Sequence, residues 1–379
     1  MNAIVRSRNM KGVMARCIVV AAMLSVGSFP AAAEVIYVSA AANGSANGSS
    51  WANAKTDLAA AVTDARTGDD VWVAAGTYGP IELRSGVRII GGFAGTESAT
   101  SESDPVANRT IISGGGTSRC VTGVNNDASA VLRGFSIRSG FIAMPNSGAG
   151  MFLKNSNATI IQCEFVNNKS EVLGGGVANW IGSPTFVGCT FHDNDGGLGG
   201  GAVANRRLGK PSFVNCLFYR NKGMEGGAVA AFDGDPTFTN CTFADNTASV
   251  KSGGAIFDNQ GRAKFRNCIL WGNVAIDSDT QAIYNNPTAN GNSSLVHCAV
   301  QGGWAGAGNI RTDPLFVNSA AGDYRLQAGS PCRDKGDSSH LPKDLGDLDW
   351  DGKTDATLPK DLGMNPRVVG AAVNIGAYE

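Results

Sequence analysis

Five cysteines, Cys163, Cys189, Cys216, Cys241 and Cys268, follow one another at intervals of 26, 27, 25 and 27 residues. Thiols in such a series could ligate a soft metal, pair as disulfides, or line a dry core as small apolar groups. Zinc sites are built from closely spaced CxxC-type pairs, and the sequence has none. If the five stood in successive parallel strands they would lie about 4.8 Å apart, within the Cα range of a disulfide. Stacked side chains point the same way, however, which opposes the bond. With Cys17 removed, eight cysteines remain, and Cys120, Cys298 and Cys332 have no evident mates. Buried free thiols are the expectation, and oxidation in an exported chain is the alternative.

Carboxylates supply a second candidate. Asp347, Asp349, Asp351 and Asp355 occupy positions 1, 3, 5 and 9 of a loop with Gly352 at position 6. That is the first half of an oxygen cage for calcium. Position 12 is Leu358 rather than an acid, so Asp361 or Asp344 would have to fold back to complete it. Calcium is the one cofactor the sequence suggests, against a solvated acidic turn. Paired acids of the kind glycoside hydrolases use could come from Asp193 with Asp195, Asp233 with Asp235, or Asp277 with Asp279, but Asp is expected in such turns anyway. His192 and His297 take variable positions of a repeat, His340 lies in the tail, and Arg206, Arg207 and Lys210 form one local basic cluster. A lyase would need a base and a cation to neutralise a uronate. No RxPxxR or GHG motif is present to supply either.

The elements that hold these residues are read from the repeat itself: IIQCEFVNN, FVGCTFHDN, FVNCLFYRN, FTNCTFADN and FRNCILWGN. Each cysteine is followed five residues later by an asparagine: Asn168, Asn194, Asn221, Asn246 and Asn273. A second strip reads GAGM at 148, GGGV at 174, GGAV at 200 and 226, GGAI at 253 and TQAI at 280. A period near 26 residues with short β segments between Gly, Pro and Asn means stacked coils. Stacking buries like residues on like residues, and aligned asparagines can bond along the axis. The fold class expected is all-β: a right-handed, three-sheet parallel β-helix. An N-terminal cap helix is expected over Thr56 to Arg66, where Leu58, Ala61, Val62 and Ala65 share one side. Earlier coils are expected at Val87–Gly92, Thr110–Ile112 and Val131–Ile137, and a last one at Ser294–Cys298.

Residue three after each cysteine should face outward, which places Tyr219 and Trp271 two coils apart, with Trp180 near another corner. Such aromatics could stack on sugar rings; the plainer alternative is isolated surface aromatics.

Residues 1–33 read as a secretory signal peptide: Arg6, Arg8, Lys11 and Arg16, then an apolar run from Ile18 to Val26, then Pro30-Ala31-Ala32-Ala33. Without those four basic residues the chain has 27 Lys+Arg against 32 Asp+Glu, a net charge of −5. A mildly acidic chain is a poor partner for nucleic acid, and no transmembrane segment remains after cleavage. The organisation expected is a leader at 1–33, a β-helix with its cap at 34–304, and a C-terminal cap or module at 305–379.

GGA[VI] with FxxN (Phe165–Asn168, Phe191–Asn194, Phe218–Asn221, Phe243–Asn246) resembles the repeat of chlamydial-type polymorphic outer membrane proteins, although no barrel-like alternation follows residue 300. The ends resemble secreted bacterial β-helix proteins of the pectate-lyase-like superfamily with a choice-of-anchor C-terminal domain. NGSSWANAKTDLAAAV (47–62), GDDVWVAAGTY (68–78), DPLFVN (313–318), DYRLQAGSPCRDKGD (323–337) and NPRVVGAAVNIGAYE (365–379) carry that likeness. It implies a bacterial protein secreted or displayed at the cell surface or outer membrane. The function expected is a structural or binding module, adhesin-like or glycan-binding, whose partner is a polysaccharide or a cell-surface glycan or protein. The alternative is a polysaccharide lyase or glycoside hydrolase acting on acidic polysaccharide.

Overall fold

The computed structural model describes residues 33–379 apart from 250–252, 276–281, 287–290, 345–346, 349–353, 355–356 and 359. The expected leader therefore falls outside the described residues, save Ala33. Residues 33–379 form one unit.

Three parallel sheets run the length of the rod. Among the described residues sheet A holds ten strands, sheet B nine and sheet C eight. One coil shows how sequence makes them. Phe186, the middle residue of the sheet A strand Thr185–Val187, points inward. Gly188 then turns the chain with φ +58, Cys189 fills the inside of the corner, and Phe191 points inward from the sheet B strand Thr190–His192. The residue before the cysteine is left-handed in every such coil: Gln162, Gly188, Asn215, Asn240, Asn267 and His297. A second left-handed residue ends the sheet B strand at Asn167, Asp193, Arg220, Asp245 and Gly272. Asparagine, aspartate and glycine tolerate that conformation best. The bend residue is thus one earlier than the repeated asparagine, which serves a different end.

The repeated asparagines form a ladder. Asn221 Nδ2 donates to Asn246 Oδ1 at 2.9 Å and to Phe191 O at 2.9 Å, while its own Oδ1 accepts from Asn194 Nδ2 at 2.9 Å and Asn194 N at 3.2 Å. The same pattern links Asn168 to Asn194 and Asn246 to Asn273. These amides are buried, so the bonds satisfy groups that would otherwise be left without water.

The strip that enters sheet C demands glycine. Gly174, Gly200, Gly226 and Gly253 have φ of +65, +64, +70 and +92. A Cβ on any of them would lie 2.0–2.2 Å from the carbonyl oxygen three residues later, too close for any side chain.

The core is two aromatic columns. Phe186, Phe213, Phe238 and Phe265 stack in sheet A at 4.8–5.0 Å, and Phe165, Phe191, Phe218 and Phe243 in sheet B at 4.6–4.7 Å. The spacing is that of the strands themselves. Between columns the rings meet edge to face, as at Phe213 and Phe218 (5.6 Å, 70°). The eight described cysteines are all buried and form no disulfide with one another, although Cys268 N donates to Cys298 Sγ at 3.4 Å. The thiols of Cys189, Cys216, Cys241 and Cys268 approach backbone carbonyls at 3.3–3.6 Å.

The cap helix spans Leu58–Asp64, two residues shorter at each end than the amphipathic pattern suggests. Asp57 accepts from Ala59 N and Ala60 N and so fixes its start. Leu58, Ala61 and Val62 face the core. At the other end Trp304 packs on the last coil and Ile310 pairs with Ala299. Described residues of the C-terminal segment from Asp337 onward pack along the flank where sheet A turns into sheet B. Asn267 bonds Asp337 O and N at 3.0 and 2.8 Å, and Asn215 Nδ2 donates to Lys360 O at 2.7 Å. Asn240 Oδ1, with its amide turned to face the guanidinium, accepts from Arg367 at 2.9 and 3.2 Å. The asparagines beside the cysteines therefore clasp the tail.

Candidate functional site

Two outer faces gather side chains that could do chemistry. The first is the flank of sheet B. Here a cavity of about 770 Å³ lies between residues 101–109, the coils carrying Ser136, Glu164 and Thr190, and the tail residues Leu362, Met364 and Tyr378. Glu164 accepts from Ser136 Oγ at 2.6 Å and from Arg109, and His192 Nε2 lies 3.1 Å from its other oxygen. His192 Nδ1 is 2.7 Å from Asp193 Oδ2. A ring whose two nitrogens both face carboxylates donates from both and is an imidazolium. Burial pushes His192 down, but the bonds to Glu164 and Asp193 outweigh it and raise its pKa. Burial likewise pushes Glu164 up, yet its bonds to His192 and Ser136 and the charge of Arg109 hold it at about 2.

That network is already neutralised from within. Glu164 cannot serve as a general acid near neutral pH, and His192 cannot serve as a base while it is protonated. Arg133, lowered to about 10 chiefly by desolvation, donates to Ser103 Oγ at 3.0 Å. In the sequence His192 reads as a variable position, and neither Glu164 nor Arg109 stands out. The only signal is that Glu164 and His192 both take outward positions, one coil apart.

The aromatics expected to bind sugars on this face are covered. Tyr219 stacks on His192 at 4.7 Å and meets Tyr324 of the tail at 5.1 Å. Trp271 packs with Ile310, Phe316 and Leu326 around a small cluster on Cys332 and Ile375. Tyr219 and Trp271 therefore anchor the tail rather than present a platform.

The second face is the outside of sheet C, and Trp180 belongs to it. Inward positions here form another polar ladder unseen in the sequence. Asn179 donates to Asn205 Oδ1 at 2.8 Å and Asn205 to Gly209 O at 2.8 Å. One coil beyond Ala231, Asp258 accepts from Gly261 N at 2.8 Å and Ser293 Oγ at 2.7 Å. Burial raises the pKa of Asp258.

Outward positions form a row along the axis. Arg119 lies over Phe152 at 4.8 Å, and Phe152 meets Trp180 at 5.3 Å. Arg207 lies over Trp180 at 5.1 Å and Arg206 over Phe232 at 5.1 Å. Phe232 meets Phe257 at 6.1 Å, and Phe257 stacks on Tyr284 at 5.5 Å. Between them Ala178, Ala204 and Ala230 lie in register and are buried, as is Phe257, so the accessible part of the row is Arg206 and Arg207 with the half-buried rings of Phe152, Trp180, Phe232 and Tyr284. Flat aromatic faces interleaved with guanidinium groups suit a ligand with apolar ring faces and anionic groups.

Of the acidic loop, Asp349, Asp351 and Asp355 lie outside the described residues. Asp347 is described, has φ +56, and acts on the charge of Arg133. Asp361, a candidate to complete the cage, accepts from Asn365 N at 2.7 Å and Glu379 N at 2.9 Å; Asp344 accepts from Leu348 N at 2.5 Å. Both are committed to local backbone. No group of three or more His, Cys, Asp or Glu poised for a metal occurs among the described residues. Three of the paired acids contact other groups. Asp193 faces His192, Asp195 is 3.8 Å from Lys169, and Asp233 accepts from Arg207 N. Asp277 and Asp279 lie outside the described residues.

These features define a parallel β-solenoid with one flank closed by its own tail. The family described as right handed beta helix region matches residues 100–298, and the chain belongs to it. The solved crystal structure of pectate lyase Pel9A is similar in fold, at 15% identity and a TM-score of 0.54, over 92% of this chain and 96% of that one. Among curated proteins none matches the sequence. No helix among the described residues is long and apolar enough to cross a membrane.

Proposed function

We propose that this is an exported, bacterial surface or secreted β-helix that binds polysaccharide along the outer face of sheet C. The carrying observation is the row from Arg119 and Phe152 through Trp180, Arg207, Arg206 and Phe232 to Tyr284, with the buried ring of Phe257 joining the last two. It crosses six strands, a length of about 24 Å at the strand spacing, room for about five hexose units. Rings laid on aromatic faces and carboxylates or sulfates set against the arginines would be held without any bond being broken.

Cleavage of an acidic polysaccharide is the second reading. Arg109 and Arg133 in the sheet B cavity favour it, since guanidinium groups can neutralise a uronate. The closed network around Glu164 and His192 weighs against it. Immobilised protein tested for retention of neutral and anionic polysaccharides, together with an ultraviolet assay for unsaturated products, separates the two. Retention lost in Trp180→Ala and Phe232→Ala, with no product released, supports binding. Release of unsaturated or reducing sugar supports the enzyme, and no retention of any polymer defeats the binding reading.

A further inference from the structure

Beside the row lies a cavity of about 340 Å³ lined by Val172, Leu173, Leu198, Arg206, Met224, Glu225 and Phe232. One wall is an aliphatic ladder built by the coil stacking: Leu198 N bonds Val172 O and Met224 N bonds Gly197 O, each at 2.9 Å, which sets Val172, Leu198 and Met224 in successive coils. The opposite wall is Phe232 with Arg206 over its ring. Gly199 lies next to both walls: a Cβ there would stand 3.2 Å from Glu225 O, 3.3 Å from Leu173 and 3.4 Å from Phe232. Leu198 is 47% exposed at the mouth, an apolar side chain left facing water.

Arg206 and Phe232 belong both to this cavity and to the row, so whatever lies along the row passes its mouth. The cavity is too apolar for an unsubstituted sugar, whose hydroxyls would lose water without gaining partners. It is continuous with a guanidinium that favours an acid. We infer that it receives an acyl-substituted unit of an anionic polysaccharide. The acyl group lies against Leu173, Leu198 and Met224, the acidic group faces Arg206, and Glu225 accepts from a ring hydroxyl. This inference rests on the polysaccharide-binding reading and adds to it a selectivity for acylation.

The test uses two probes of equal backbone and charge: O-acetylated polymannuronate and the same polymer after mild alkaline deacetylation. The full chain should bind the acetylated form at least ten-fold more tightly. Leu198→Ser, which removes the apolar contact without adding charge, and Met224→Trp, which fills the cavity, should each erase that preference. Equal affinity of the unaltered protein for both polymers overturns the inference and leaves the binding reading standing. A preference that survives both substitutions also overturns it. If the unaltered protein retains neither polymer the inference falls, and the binding reading falls with it only when the wider set of neutral and anionic polysaccharides is not retained either.

Discussion

Sheets B and C are built from the same coils, yet their outer faces have opposite fates. Along sheet B, Leu217, Tyr219, Ala244 and Ile269 are roofed by Tyr324, Phe316, Tyr378 and Ile375 of the tail. Along sheet C, Phe152, Trp180 and Phe232 are half-buried and Arg206 is exposed, none of them belongs to the apolar clusters made with the tail among the described residues, and the alanines between them are buried. The difference teaches that aromatic residues on a solenoid surface carry no fixed meaning. Tyr219 and Trp180 each take an outward strand position, but Tyr219 packs on the tail while Trp180 packs on Phe152 and Arg207 of neighbouring coils.

The sharpest way to break this comparison is to loosen the roof. Arg367 is 1% exposed and donates to Asn374 O at 3.2 Å and Gly376 O at 2.5 Å while facing Asn240. Arg367→Ala should cost about 3 kcal/mol or more, because several buried acceptors lose their donor. A lowered thermal midpoint with glycan retention intact would keep the two faces separate. Removing an internal ring sets the scale: Phe213→Ala should cost about 3–5 kcal/mol in denaturant unfolding and harm both faces alike.

A smaller and more selective effect is expected on the open face. Trp180→Ala should weaken polysaccharide retention about ten-fold, a loss of roughly 1–2 kcal/mol in stacking and cation–π contact, with the midpoint of unfolding nearly unchanged. Tyr219→Ala should do the reverse, lowering stability by about 1–2 kcal/mol and leaving retention alone. If Tyr219→Ala abolished retention, sheet B would be the binding face after all.

The smallest effect is one of pH. His192 has its pKa raised in the fold, so its contribution is complete below the unfolded value of about 6.5 and is lost as pH rises through the folded value. Glu164 works in the other direction. Its contribution is present above the unfolded value of about 4.3 and fades as pH falls toward about 2. His192→Gln should therefore flatten the decline in stability on the alkaline side of neutrality and leave sheet C binding unmoved, which a melting series across pH checks.

How much of this was legible in the sequence follows from periodicity. Cys189, Phe191 and Asn194 recur because each inward position meets its own copy in the next coil, so the sheets, corners and ladder could be read directly. Asn179, Asn205 and Asp258 form an inward ladder too, but only over part of the rod and with a change of residue type, which hides the pattern. Outward positions escape that constraint, so Glu164 beside His192 has no repeat to betray it. The course of the tail was least legible. Its brackets were in plain view as Asn215, Asn240 and Asn267, but each also suits a left-handed bend, and that local reason masks the long-range one.

Those brackets have a consequence for the size of the molecule. A solenoid is ordinarily free to gain or lose a repeat, since each coil touches only its neighbours. Here Asn215, Asn240 and Asn267, one coil apart, meet Lys360, Arg367 and Gly376 in order along one described stretch of chain. The tail acts as a ruler. An inserted coil between Asn215 and Asn267 would put at least one clasp out of reach by about 4.8 Å, so the length of this rod is set by a segment that contains no repeat at all.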